Sequence, residues 1–261
     1  MTSAEAAALL GVSASTVKRW VDDGTLLSER TLGGHRRIRR EVVEALLQHG
    51  EPAGPDDDLL ALLLSAEPSR DLEARLIGLR AAQRSVGAFA DALTPALHEM
   101  GARWARGELA IADEHIASER LARALARLAE WAPVPRGAPV ALLATAAEED
   151  HTLGLSLAEL CLRENGWDAR WVGRRTPTEA LVDLIQRARP PAGLVVMSAS
   201  VVSSDAGSLL HQAQRVAAAC HANGAALVLG GDGAWPEQLR HARRIRSLRE
   251  LEAVARKAFP Q

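Results

Sequence analysis

Val140-Ala-Leu-Leu-Ala-Thr-Ala-Ala-Glu-Glu-Asp-His-Thr-Leu-Gly154 is the stretch on which the fold turns. Its first six residues, Val140 to Thr145, are apolar or small without polar alternation, the pattern of a short strand covered on both faces. A polar loop follows, and Gly154 opens a helical stretch. The unit recurs downstream. Asp168-Ala-Arg-Trp-Val172, Gly193-Leu-Val-Val-Met-Ser198 and Ala225-Ala-Leu-Val-Leu-Gly230 are strand-like runs, each parted from the next by helical sequence. Strands alternating with helices predict a doubly wound, Rossmann-like parallel sheet over residues 138–261.

Reading toward the N-terminus, Pro133-Val-Pro135-Arg-Gly137 has linker composition. Residues 59–134 are rich in Ala, Leu and Arg, with apolar residues at spacings of three and four. That predicts a four-helix bundle broken near Pro68, Pro95 and Gly107. Residues 51–58, Glu51-Pro-Ala-Gly-Pro-Asp-Asp-Asp58, form another linker. Residues 1–50 read as helix, turn, helix, a Gly-containing hairpin and a last helix. The predicted fold class is multidomain α and α/β: a winged helix-turn-helix, a four-helix bundle and a doubly wound Rossmann-like parallel-sheet domain.

Composition bounds the function classes. The 261 residues are 48% hydrophobic and 25% charged, normal for a globular protein. The formal charge of -2 is unevenly spread. Five arginines and no acid lie between Arg30 and Arg40, whereas Glu51 to Asp58 carries four acids and no base. Such a total can hide a basic, DNA-facing surface. The two cysteines, Cys161 and Cys220, sit in helical stretches, against a disulfide framework or a cysteine metal site. The start has no signal-peptide pattern, and no apolar run approaches the ~18 residues of a membrane span. These features predict a cytoplasmic protein.

The first fifty residues carry the pattern of a DNA reader. Ala7, Leu10, Val12 and Val17 can form a small core, with Trp20 as a further anchor, leaving Thr16, Lys18 and Arg19 outward on the second helix. That helix enters the major groove in such motifs, so Arg19 would read a guanine edge and Lys18 would bind phosphate. Gly33-Gly34 supplies a hairpin turn flanked by Arg30, His35, Arg36 and Arg37. The implied partner is double-stranded operator DNA.

His151 is the candidate ligand residue. It follows the first strand of the α/β block, and ligands of doubly wound sheets bind beyond the carboxyl ends of the strands. An imidazole there can offer one nitrogen to a cofactor metal while Glu149, two residues earlier, holds the other. Gly154 lets the next helix approach a bulky ligand closely.

These motifs resemble known families. Residues 1–50, with the Gly33-Gly34-His35-Arg36-Arg37 turn, resemble the winged helix-turn-helix of the MerR family in its excisionase-like branch, whose wing lies along the DNA backbone. Glu149-Asp150-His151-Thr-Leu-Gly154 is similar to the Asp-x-His-x-x-Gly of methionine synthase-like cobalamin-binding domains, with Glu149 where Asp is commoner. The resemblance implies that His151 is the lower axial ligand of cobalt. Ser198-Ala-Ser200 partly matches that family's later Ser-x-Leu, and Gly230-Gly231 matches its Gly-Gly. The resemblance gives those residues, in the family, to the pocket for the nucleotide tail.

Trp104, followed after nine residues by Glu114-His115, resembles the signature of CarH-type B12-dependent photoreceptors. That resemblance implies adenosylcobalamin (or another cobalamin) as cofactor, with Trp104, Glu114 and His115 on its upper side. Taken alone, Trp104 would read as a core residue of the bundle. The resemblance also implies a light-sensing repressor rather than an enzyme. Its homo-oligomer, a tetramer in the family, holds DNA until light cleaves the Co–C bond. One departure stands out: Ala105 occupies the position where CarH-type proteins often carry a ligating His.

Three alternatives remain at this level. A light-independent B12 sensor would use the same residues, and Ala105 favours it. A MerR-like regulator could bind another ligand, or none, in its B12-type domain. A corrinoid methyl carrier is the third, and it has no use for a DNA-binding head.

Overall fold

Helix α1 (Ser3–Leu10) and helix α2 (Ala14–Asp22) open the chain, followed by an antiparallel hairpin of β1 (Ser28–Arg30) and β2 (Arg36–Ile38). This computed structural model describes residues 1–10, 13–22, 28–30, 36–38, 40, 43, 57–65, 69–132, 134–200 and 205–258. Ala7, Leu10, Val17, Trp20 and Ile38 are buried, so the expected core of the head forms, Val12 lying outside the described residues. The N-terminal ammonium donates to the Ile38 carbonyl at 2.6 Å and ties the chain start to the hairpin. Trp20 is the anchor expected: its ring meets Trp131 edge-on, centroids 5.1 Å apart.

The same unit, Met1–Trp131, continues with α3 (Asp57–Leu64), α4 (Ser69–Ala82), α5 (Val86–Ala105) and α6 (Ile111–Trp131). Asp57 and Asp58, read as linker, begin α3; acidic residue types suit a helix start, where the peptide dipoles leave positive charge. Pro95 does not break the chain but lies inside α5. Proline removes one helical N–H, a real cost, yet Phe89, Leu93, Ala96 and Met100 recur at helical spacing on the buried face and carry the helix past it. Gly107 does end α5. Its φ of +72° suits glycine, and the N–H groups of Gly107 and Glu108 close on the carbonyls of Trp104 and Arg103 at 2.9 Å each. Pro68 lies outside the described residues.

The second unit, Ala132–Gln261, is the α/β domain. Strand β3 (Val140–Thr145) is buried at every residue, as its apolar run requires. It pairs in parallel with β4 (Asp168–Gly173) on one side and β5 (Ala192–Ser198) on the other. Beyond β5 come β6 (Ala226–Gly230) and β7 (Ala242–Arg244), giving the order β4-β3-β5-β6-β7. Helices α7 (Leu153–Glu164), α8 (Thr178–Arg187), α9 (Ala206–Ala222) and α10 (Leu248–Ala258) connect or follow the strands. The connection after β3 runs to one edge of the sheet and that after β5 to the other, so the order reverses between them, the place where doubly wound sheets bind ligands at the carboxyl ends of the strands. Both cysteines are buried on their helices, and burial pushes the Cys220 thiol up to about 12. Among the described residues no helix is long and apolar enough to cross a membrane.

Candidate cofactor site and nucleic-acid interface

The loop after β3 is held from several sides before it presents His151. Thr145, the buried polar end of the strand, donates to the Glu149 carbonyl at 2.7 Å and accepts from the Arg175 amide at 2.8 Å. Gln212 from α9 accepts from the Ala147 amide at 2.9 Å. Glu149 turns back on Ala146 through its own amide. A loop pinned this way fixes side-chain direction without help from a ligand.

Glu149 is fully buried, an expensive place for a carboxylate unless donors surround it. They do. Oε1 accepts from the His151 backbone N–H at 2.7 Å and faces His151 Nδ1 at 2.6 Å, while Oε2 accepts from the Ser200 backbone N–H. A carboxylate oxygen accepts, so Nδ1 carries the hydrogen of this contact and Nε2 is the ring nitrogen left for a ligand. The His151 side chain is 65% exposed, and among the described residues Nε2 has no partner. An imidazole with one nitrogen oriented by a buried carboxylate and the other bare is the arrangement of a metal-ligating histidine.

The other expected residues divide. Ser200 joins the site, its Oγ 3.2 Å from His151 Nδ1 and its amide on Glu149; the sequence pattern had suggested only a pocket wall. Asp150 faces away, paired with Arg175 at 3.0 Å. Gly154 stands where a Cβ would meet only Ser198 Oγ, at an ordinary 3.6 Å, so no packing in the unit demands glycine there. Gly231 differs. Its φ is +80°, and a Cβ would overlap the Ala199 carbonyl oxygen, so the fold itself requires this glycine. Gly230 is bound through its carbonyl to Trp235 Nε1 at 2.9 Å. Thr145, Gln212 and Arg175 were missed; a lone threonine ending an apolar strand was the only hint.

In the helical unit, Trp104 ends α5 at 49% exposure, so it is no core residue. Ile111 and Ile116, at and near the start of α6, are each 58% exposed. Glu114 and His115 share that first stretch of α6. Glu114 Oε1 accepts from Ser118 Oγ at 2.6 Å, and its Oε2 lies 3.6 Å from His115 Nε2. The turn between the helices is charged: Arg106 pairs with Glu108 at 2.8 Å and holds the Glu108 carboxyl below the usual range. Exposed apolar and aromatic side chains on these two helices, with an acid and an imidazole on the second, are residue types that suit a large ligand that is part aromatic and part polar.

On the head, burial of Val17 and Trp20 leaves Lys18 exposed on α2, and Arg37 is exposed on β2. Thr16, Arg19, Arg30 and Arg36 fall within the described backbone elements but their side chains lie outside the described set, as does all of His35.

Comparison with known proteins agrees with this division. Residues 1–50 match the helix-turn-helix domain family, and residues 71–129, within the helical unit, match the B12 binding domain family. The chain is 36% identical over 185 residues to the HTH-type transcriptional repressor CarH of Myxococcus xanthus, 67% of this chain and 60% of that one. It thus spans about three-fifths of the curated relative's length. The monomethylamine corrinoid protein of Methanosarcina barkeri has a similar fold, with TM-score 0.61 and 17% identity over 78% of this chain and 98% of that one. The chain is thus similar to a CarH repressor in sequence, with a helix-turn-helix domain match at its head and a B12 binding domain match in its helical unit.

Proposed function

We propose that this chain is a cobalamin-dependent transcriptional repressor that binds operator DNA through residues 1–50 and adenosylcobalamin through His151. The observation that carries the reading is the Glu149–His151 pair, with its buried carboxylate, 2.6 Å contact and bare Nε2, in a chain with a helix-turn-helix head. The residues fit the cofactor: one oriented imidazole, a glycine that no internal packing explains and an exposed tryptophan wall. His151 would hold cobalt from below through Nε2, and Glu149 would keep the Nδ1 proton in place. Trp104 would stack on the adenosyl group, with Glu114 and His115 beside it. Ser198, Ser200 and Gly230-Gly231 are assigned to the surrounding wall, while Asp150 holds Arg175 beside the loop. When bound, adenosylcobalamin supplies a light-labile cobalt–carbon bond.

The regulatory step is assembly. Several linked heads see a high effective concentration of repeated operator sites, so a cofactor state that favours a homo-oligomer strengthens DNA binding without new base contacts. Sizing the dark adenosylcobalamin complex with an operator duplex, before and after green light, tests this. A large dark assembly that retains DNA and falls apart on illumination is expected. An unchanged elution volume and unchanged DNA retention contradict light sensing. Ala105 favours one second reading, a repressor that responds to cobalamin level alone, because alanine cannot ligate cobalt.

A further inference from the structure

Strand β7 closes the sheet with Ala242-Arg-Arg244, and its surroundings are dense in cations: Arg240, His241, Arg243, Arg244, Arg246 and Arg249 fall within ten residues. Arg240, Arg243 and Arg244 line one open hollow of about 530 Å³, together with Gln238 and Glu237. The nearby acids leave Arg240, Arg243 and Arg244 without an ion pair among the described residues. Glu237 is taken by Arg246, and Glu250 faces Ser247 at the start of α10. Asp232 acts on Arg244 only as a distant charge. Among the described residues Arg240 and Arg243 have no acidic partner. Arg244 donates to two neutral carbonyls, those of Leu229 and Gly233, each at 3.3 Å, while its Nε is buried without an acceptor. Burial, then Arg246, draws the Arg244 guanidinium below its usual range, as expected of a cation short of negative charge.

Beside the hollow, His241 stacks on His221 with ring centroids 3.6 Å apart, and it too is held below the usual imidazole range by burial, His221 and Arg240. His241 also takes a φ of +63°, a conformation L residues seldom adopt, which turns the chain directly before the arginine strand. Carbonyls fix one arginine of this group and the strand fixes the spacing of the rest. This differs from a solvated surface run, whose charges normally find partners along their own helix.

The geometry points to a phosphate-binding site on the β7 edge, with Arg240, Arg243 and Arg244 as its cationic wall. The two exposed guanidinium forks of Arg240 and Arg243, with the carbonyl-held Arg244 charge behind them, offer more donors than the two oxygens of a carboxylate accept, whereas a phosphate group presents three or four oxygens. The phosphate is either a free inorganic one or a phosphodiester of the DNA that the head engages. The site does not depend on cobalamin binding, and its free-phosphate form does not depend on DNA binding.

The test uses the full chain and the double variant Arg240→Ser, Arg243→Ser, both exposed positions whose loss leaves the core intact. A second variant, Arg244→Lys, keeps the charge and removes the fork. Thermal unfolding is followed in inorganic phosphate against chloride at equal ionic strength, and duplex affinity is measured across a salt series. For a free-phosphate site, phosphate raises the unfolding temperature of the wild type by several degrees and neither variant responds, with the DNA salt slope unchanged. For DNA phosphate, the double variant lowers the salt slope by about 2, one counterion per lost contact. If phosphate stabilises wild type and variants alike and the slope does not move, the site does not exist. Failure of the wild type to bind any duplex would instead refute the DNA-binding reading, and the phosphate arm would still decide this one.

Discussion

At the scale of single residues, two glycines that look alike in sequence differ in what requires them. At Gly154 a Cβ would make only an ordinary contact with Ser198 Oγ, and φ is not unusual, so the fold tolerates a side chain. Gly231 has neither freedom, with its φ of +80° and the Ala199 carbonyl against it. Gly154→Ala should therefore keep or raise stability, by up to about 1 kcal/mol from helix propensity, while weakening cobalamin uptake. Gly231→Ala should cost about 1–3 kcal/mol whether or not cofactor is present. Denaturant unfolding of the apo forms beside absorbance titrations checks both. A Gly154→Ala protein that unfolds early yet takes up cofactor normally would reverse their roles. The pairing of Glu149 with His151 was legible in the sequence, because i and i+2 on a strand-end loop can face each other. The Ser200 amide on Glu149 was not legible, since it depends on where β5 ends beside β3.

At the scale of elements, the sequence read best where one force dominates. The runs at β3, β5 and β6 are apolar because both faces are covered, and each appeared within a residue or so of its observed bounds. Strand β7 was missed: Ala-Arg-Arg has no apolar signature, and only pairing with β6 makes it a strand. Pro95 misled in the opposite direction, because a local rule about proline met a core face that outweighs it. Trp104 reads as a site residue only through its spacing from Glu114-His115; alone it reads as a core residue, and its exposure sets that core reading aside. Helix α6 also braces the head, through Trp131 against Trp20. Trp131→Ala should lower the stability of the N-terminal unit by about 0.5–1.5 kcal/mol for the aromatic contact alone. Urea unfolding of the full chain followed by tryptophan emission reads this. An unchanged midpoint would mean the two rings do not hold the head to the bundle.

At the scale of the whole molecule, function follows from a division of labour that the sequence shows in charge and composition. A head with an arginine-rich segment and a helical bundle with an exposed tryptophan lie in one unit, and a parallel sheet carrying the Glu149–His151 pair lies in the other. A total charge of -2 conceals the arginine segment near residue 35 and a second one at β7. The fold class was legible because strand and helix periods separate cleanly along the chain. The stimulus proposed above was not legible, because Ala105 stands where the resemblance leads one to expect a ligating His.

The proposal stands or falls on His151 as the residue that takes up cobalamin. Purified chain titrated with adenosylcobalamin in the dark, and followed by the corrin absorption bands, measures this directly. The wild type should bind one equivalent with a spectral change as imidazole reaches cobalt. His151→Ala should lose that change and bind more than about tenfold more weakly, with an unaltered fold by circular dichroism. No uptake by the wild type, or an identical spectrum and affinity in His151→Ala, would contradict it.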